Sequence, residues 1–434
     1  MRTTNTLRRS ALALLTTATL ALAPTALADT GGHGADGTAW RGAWAASPQS
    51  ASAPFGPNWS QQGFENQTVR QVVRVTATGT RTRIELTNRY GTGPLRITGA
   101  TVARTADGAT AAAGDTAAAR SAVEPGSVRT LRFGHRPSVT IPAGETLLSD
   151  AVNLPVKAFE SLTVTLYLAD ATGPATFHSF SSATSYRAEG DHRADLSGAA
   201  FGEASASWYY LSGVEVSGGR DTARQGGVVT FGDSITDGVG STADADHRYP
   251  DELAERLAAA GRPRAVLNHG IAGNQVVNDT TWAGEKALSR FREDVLTEPG
   301  VRTVVILEGI NDIGGSGPAF PGGPTPEVSV EKLIAGHRTL IREAHAKGLK
   351  AVGATLTPIG GSFYFTPANE AKRDAVNHWI RTSGAYDAVV DFDRAVADPS
   401  DPDRILPAYD SGDALHPNDA GYTAMADALD LDEL

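Results

Sequence analysis

The sequence predicts an α/β half built on a parallel sheet covered on both faces, preceded by a β-sandwich. Three observations carry this. From about Trp40 to Val216 the apolar residues recur with period two and no amphipathic helix interrupts them. After Ser217-Gly218-Gly219 five short apolar runs alternate with helical segments, and unbroken apolar strands mean burial on both faces. The 434 residues, 41% hydrophobic and 20% charged, suffice for more than one domain and a large core.

Residues 1–28 read as an export address. Arg2, Arg8 and Arg9 precede an apolar run from Ala11 to Ala23, and Ala26-Leu27-Ala28 supplies the small-x-small cleavage pattern. The run is too short and too rich in Ala and Thr for a stable membrane span, which needs about 20 apolar residues. Arg8-Arg9 leaves Sec and twin-arginine export both open. The expectation is a secreted, extracellular chain. Losing three arginines and no acid takes the net charge from −11 to −14, a poor balance for nucleic acid, whose phosphates require clustered Lys and Arg. No Cys is present, which excludes disulfides, a thiol nucleophile and thiolate metal sites.

The β-sandwich is expected over residues 36–216. Arg81-Thr82-Arg83-Ile84-Glu85-Leu86 alternates strictly, and so does Leu162 to Leu168. Pro125-Gly126 and Pro142-Ala143-Gly144 are among the turn signals. Thr105 to Ala122, rich in Ala, Thr and Asp, reads as a long surface loop.

The α/β domain is expected over residues 222–434. Its strands are Gly227 to Phe231, Ala265 to Leu267, Thr303 to Leu307, Ala351 to Thr355 and Ala388 to Val390. Pro250-Asp251-Glu252 opens one helix with proline and acids in the first turn. Glu331 to Lys347 places Leu333, Ile334, His337, Leu340, Ile341 and Ala344 on one face. Pro367 to Arg381 is a third. Parallel sheets bind ligands beyond the carboxyl ends of their strands, so chemistry belongs just after each apolar run.

The first strand runs into Gly232-Asp233-Ser234-Ile235-Thr236-Asp237-Gly238. The second is followed by Asn268-His269-Gly270-Ile271-Ala272-Gly273-Asn274, the third by Glu308-Gly309-Ile310-Asn311-Asp312. Asp413-Ala414-Leu415-His416-Pro417 stands near the end. These four blocks, in this order over about residues 227–431, resemble the SGNH, or GDSL, hydrolases, a family of esterases and lipases. Arg248-Tyr249-Pro250, Thr355-Leu356-Thr357-Pro358 and His416-Pro417-Asn418-Asp419 add to the match. The resemblance implies a three-layer α/β/α fold on a five-stranded parallel sheet, and a serine ester hydrolase that works without cofactor or metal.

By chemistry and resemblance together, Ser234 is the expected nucleophile, His416 the base that takes its proton, and Asp413 the carboxylate that orients the imidazole. The resemblance assigns the oxyanion hole to the amides of Ser234 and Gly273 and the side chain of Asn311. Asp233 reads as structural, its side chain pointing elsewhere. His269 stays a minor candidate. His337 reads as a core or boundary residue, and His345 and His378 as surface or interface residues.

Phe320, Phe363, Tyr364, Phe365 and Trp282 lie in segments that follow the strands and are candidate substrate-binding walls, for a sugar ring or an acyl chain. Asp398, Asp401 and Asp403 fall in a Pro-rich loop and read as solvated acids rather than a metal site. The β-rich half carries no catalytic block. Similar secreted hydrolases carry jelly-roll carbohydrate-binding modules, so it is expected to bind glycan, shape the rim or stabilise. Trp208-Tyr209-Tyr210 and His178 near its end are expected to pack where the halves meet. The expected substrate is a short-chain or acetyl ester of a carbohydrate. A lipase, phospholipase or acyltransferase on lipid or aryl esters is the alternative, and a non-catalytic glycan-binding protein a further one. The oligomeric state is left open.

Overall fold

The computed structural model describes residues 1, 39–53, 56–106, 117–219, 226–318 and 320–434. The export segment therefore lies, but for its first residue, outside the described residues. From residue 39 onward the described chain belongs to one compact unit.

The N-terminal half is built on two large antiparallel sheets, with the two-stranded pairs Phe177–His178 with Trp208–Tyr209 and Leu95–Ile97 with Val139–Ile141 beside them. One has the strand order Arg41–Ala45, Leu211–Ser217, Arg81–Thr87, Thr146–Leu148. The other runs Glu203–Ser205, Ser185–Glu189, Gln67–Arg74, Ser161–Leu168, Gly99–Arg104, Arg129–Thr130. Ile84, Leu86, Val214 and Val216 of the first share a core with Val69, Val73, Val102, Val164 and Leu166 of the second, as a sandwich requires. Arg81–Thr87 keeps its alternation, with Thr82, Ile84 and Leu86 inward. Ser161–Leu168 does not: Thr163 and Thr165 are buried too. The expected surface loop at 105–122 also departs from the reading, since Ala117–Arg120 is a helical turn; residues 107–116 lie outside the described part.

The C-terminal half is built on five parallel strands ordered Val266–Gly270, Gly227–Gly232, Val301–Leu307, Lys350–Ala354, Ala388–Val390. Numbered along the chain that is 2-1-3-4-5, so the connections leave the first strand in opposite directions at its boundary with the third. A crevice opens at such a switch point. The helices fall into two groups. Tyr249–Ala259 packs with Asp419–Ala428, and Val330–Ala346 with Pro367–Thr382. Their ends follow local chemistry: Ser329 and Thr366 cap the last pair by accepting from the amides of Lys332 and Asn369. One correction concerns Asp398, Asp401 and Asp403. Their segment is a hairpin of Ala397–Asp398 and Asp401–Ile405 rather than a loop. Pro402 stands in a strand of a two-stranded ribbon, where a missing donor is tolerated.

The halves join along the edge of the parallel sheet. The hydroxyl of Thr76 donates to the Val266 carbonyl at 2.9 Å and the Gly42 amide to that of Pro299 at 3.1 Å. An added Cβ on Gly42 would stand 2.6 Å from Leu267, so glycine permits this approach.

Candidate active site

Strand one ends at Gly232, where any side chain would collide with Thr236 and with the Leu307 carbonyl. The chain turns there into the short helix Ser234–Asp237, capped by Asp233, whose carboxylate accepts from the Ile235 amide at 3.0 Å. This confirms a structural position for Asp233 and places Ser234 at the head of the turn, only 6% exposed.

The C-terminal loop brings His416 to it. The Asp413 carboxylate is held by three donors: the amides of Leu415 and His416 at 2.9 and 2.8 Å, and His416 Nδ1 at 2.6 Å. A carboxylate only accepts, so the ring hydrogen sits on Nδ1. In the neutral ring Nε2 is then bare and accepts from the Ser234 hydroxyl at 2.8 Å. Partial burial of Asp413 acts to raise its pKa, but the His416 ring and the two amides outweigh it and hold the pKa at about 2. The loop is fixed by Asp410, which accepts from the Gly412 and Ala414 amides, and by Asn418, which caps the last helix.

Gly273 follows strand two with φ +82°. A Cβ there would lie 1.9 Å from the Trp282 ring, so the indole packs directly on this backbone. Asn311 follows strand three, after Gly309 with φ +122°. Its Oδ1 accepts from the Tyr364 hydroxyl at 2.6 Å and its Nδ2 donates to the Asn274 carbonyl at 2.9 Å. That fixes the amide's orientation and leaves Nδ2 a second hydrogen. Asp312 ties the two loops together by accepting from the amides of Val276 and Val277 at 2.7 and 3.1 Å.

Three acids lie beneath. Burial pushes Asp233 and Asp312 up to about 7, and pushes Glu308 well above the usual range with Asp233 adding to it. Arg290 opposes the shifts of Glu308 and Asp233 from a fully buried position, donating to Glu308 at 3.1 Å and to the Gly232 carbonyl at 2.8 Å.

The expected wall residues divide. Tyr364, Phe320 and Trp282 are buried. Phe320 packs between the other two rings, with centroids 5.6 Å from Trp282 and 6.4 Å from Tyr364, and Trp282 Nε1 donates to the Pro321 carbonyl. These three support the loops from below. Phe363 and Phe365 are 50% and 43% exposed.

The other histidines weighed in the sequence stand in surroundings of their own. His269 bonds the Ser47 hydroxyl and Glu298 at 3.0 and 3.1 Å. His337 is buried against the Tyr386 hydroxyl, and burial lowers its pKa to about 4. His345 pairs with Asp387 near the surface, and His378 is exposed. His178 lies between the halves and meets Asp237 at 3.0 Å. Sequence reasoning gave no role to Arg290, Ser47, Gln49 or Asp237. Most of their partners are distant in the chain, which no local pattern announces.

Fold and site together define an α/β hydrolytic enzyme with a serine, a histidine and an aspartate meeting at the switch point. Residues 230–424 match the GDSL-like lipase/acylhydrolase family. Over that stretch, a little under half of the chain, the C-terminal half is similar to that family of ester hydrolases. No curated protein matches the chain. Among solved structures, a lipolytic protein of the G-D-S-L family from Desulfitobacterium hafniense is 20% identical, with 47% of this chain and 97% of that one covered and a TM-score of 0.36. A GDSL-like lipase from Bacteroides thetaiotaomicron is 20% identical, covering 46% and 84% with a TM-score of 0.33. An acetylxylan esterase from Geobacillus stearothermophilus is 23% identical, covering 48% and 94% with a TM-score of 0.37. Among the described residues no helix is long and apolar enough to cross a membrane.

Proposed function

We propose that the protein is an exported hydrolase that cleaves carboxylic esters through an acyl-enzyme on Ser234. The observation that carries this is the continuous hydrogen-bond chain Ser234–His416–Asp413. As Ser234 Oγ bonds to the ester carbonyl carbon, its proton passes to His416 Nε2, and Asp413 stabilises the imidazolium. The carbonyl oxygen takes the negative charge, and the amides of Ser234 and Gly273 with Nδ2 of Asn311 receive it. Collapse breaks the ester C–O bond, and the imidazolium returns its proton to the leaving alcohol. Water then repeats the sequence on the acyl-enzyme, releasing the acid and restoring Ser234.

The substrate we propose is a short-chain or acetyl ester of a carbohydrate. Phe363 and Phe365 offer two half-exposed rings beside Tyr364, which itself bonds Asn311, and aromatic faces suit sugar rings.

Ser234→Ala tests the mechanism. Hydrolysis of a nitrophenyl acetate should fall about 10³-fold or more with the melting temperature kept. Retained activity would overturn the assignment. A nitrophenyl ester series beside acetylated xylan tests the substrate. Release of acetate from xylan and a preference for short chains is the expected result. Preference for long chains with no acetate released would reject the carbohydrate and favour a lipid ester.

A further inference from the structure

The β-rich half reaches the turn at Gly273 through two side chains. On one side stands His178, on the strand Phe177–His178. Its Nδ1 faces the Ser47 carbonyl at 2.9 Å, and its Nε2 faces the Phe180 carbonyl at 2.8 Å and Asp237 Oδ1 at 3.0 Å. These partners are all acceptors, so both ring nitrogens carry hydrogen and the ring is an imidazolium. The other oxygen of Asp237 accepts from the Ala272 amide at 2.9 Å, the peptide just before Gly273. His178 and Asp237 are both almost wholly buried, where a charge without its partner is costly. On the other side stands Gln49. Its Nε2 donates to the Trp282 carbonyl at 2.7 Å and its Oε1 accepts from the Ser179 amide at 3.0 Å. The Trp282 indole is the surface on which Gly273 rests.

We infer that the β-rich half is a working part of the esterase site: His178 through Asp237, and Gln49 through Trp282, hold the 271–274 turn so that the Gly273 amide points at the developing oxyanion. Both are positioning residues, since neither touches the reacting atoms. The inference rests on the reading of Gly273 and Asn311 as oxyanion donors.

His178→Phe keeps the ring and removes the donors. Rates are expressed per active site, titrated by the acyl-enzyme burst. The expected result is a 10- to 100-fold loss in kcat, somewhat below the loss of a whole donor, with KM within twofold. Affinity for an arylboronic acid, whose tetrahedral adduct places an oxygen in the hole, should fall by the same factor. His178→Gln, which can still reach Asp237, should recover most of both. Should His178→Phe fail to fold, Gln49→Met gives the same readouts with an expected three- to tenfold loss. If kcat per site and boronate affinity stay within twofold of wild type, the inference is overturned, whatever the melting temperature does. Asn311→Ala separates the layers. A loss of about 100-fold there beside an unaffected His178→Phe removes the inference alone. No loss in Asn311→Ala removes the oxyanion reading and the inference with it.

Discussion

A serine hydroxyl is a weak nucleophile until a base stands ready for its proton, and the base must present the right nitrogen. At His416 that choice is made by Asp413, whose three donors include the ring hydrogen. The same contacts make a stability statement. Asp413 has its pKa lowered from 3.8 to about 2 in the fold, so the folded state releases its proton more readily than the unfolded chain. The stabilisation is therefore present above about pH 4 and drains away as pH falls towards 2. Asp413→Asn lacks this titration. Wild type should melt above the variant at pH 5 to 6, and the gap should narrow steadily between pH 4 and 2 in a thermal melt series. A gap independent of pH would contradict the ion pair. Ser234, Asp413 and His416 were all legible in the sequence, because each sits in a short block whose neighbours are also its structural supports: Asp233 caps, Gly232 admits the turn, Asn418 starts the next helix. Tyr364 was read as a wall and proves to be a prop under Asn311, since the pattern of aromatics after glycines says where the rings stand in sequence and nothing of which way they turn.

Elements deliver these side chains because parallel strands end together. The ends of strands one, two and three were readable from unbroken apolar runs, and the functional loops follow them directly. What the runs did not carry was the environment of each turn. Gly273 shows the difference. Its glycine is required twice, by φ +82° and by the Trp282 ring 1.9 Å from an added Cβ. Gly284, eleven residues on in the same excursion, has φ +77° and nothing nearer than 3.5 Å. Gly284→Ala should therefore cost only the left-handed strain, about 1–2 kcal/mol. Gly273→Ala should add an overpacking cost of about 1–3 kcal/mol and displace the proposed oxyanion donor, with kcat down about 100-fold. Urea unfolding and initial rates on the two variants check this. Equal stability losses, or equal activity, would mean that the indole yields easily. The hairpin at 397–405 escaped the sequence for the opposite reason: Pro402 and alternating aspartates signal a loop, but a short ribbon exposed at its charged positions tolerates both.

Across the whole molecule one side chain gathers the segments that the site needs. Arg290 is buried with its guanidinium 4.0 Å above the Phe231 ring. Its Nε donates to Asn274 Oδ1 at 2.8 Å, beside Gly273. Nη1 donates to the His269 carbonyl and to Asp294 at 2.8 and 3.0 Å, with the Ser47 hydroxyl of the β-rich half at 3.3 Å. Nη2 donates to the Gly232 carbonyl and to Glu308. The ends of strands one, two and three and the first segment of the sandwich thus share one cation. A single buried arginine on a mostly apolar turn, Ala287–Phe291, carries no motif, which is why its part in joining the halves was not visible beforehand, although His178 was expected at that join. Arg290→Met keeps the volume and strands two buried carboxylates, at a cost of about 3–5 kcal/mol. The deficit should depend on pH in a definite direction. Burial already drives the pKa of Glu308 up, and Arg290 opposes it. Without Arg290 the folded state holds the Glu308 proton more firmly, so the variant gains on wild type as pH is lowered. Denaturant unfolding at pH 8 and pH 5.5 should show the larger deficit at pH 8. Since the cation binds both halves, tryptophans of the sandwich (Trp44, Trp208) and of the α/β half (Trp282, Trp379) should be lost in one transition at both pH values. A deficit below about 1 kcal/mol, or one that grows on acidification, would mean that the four segments are held by packing and not by this guanidinium.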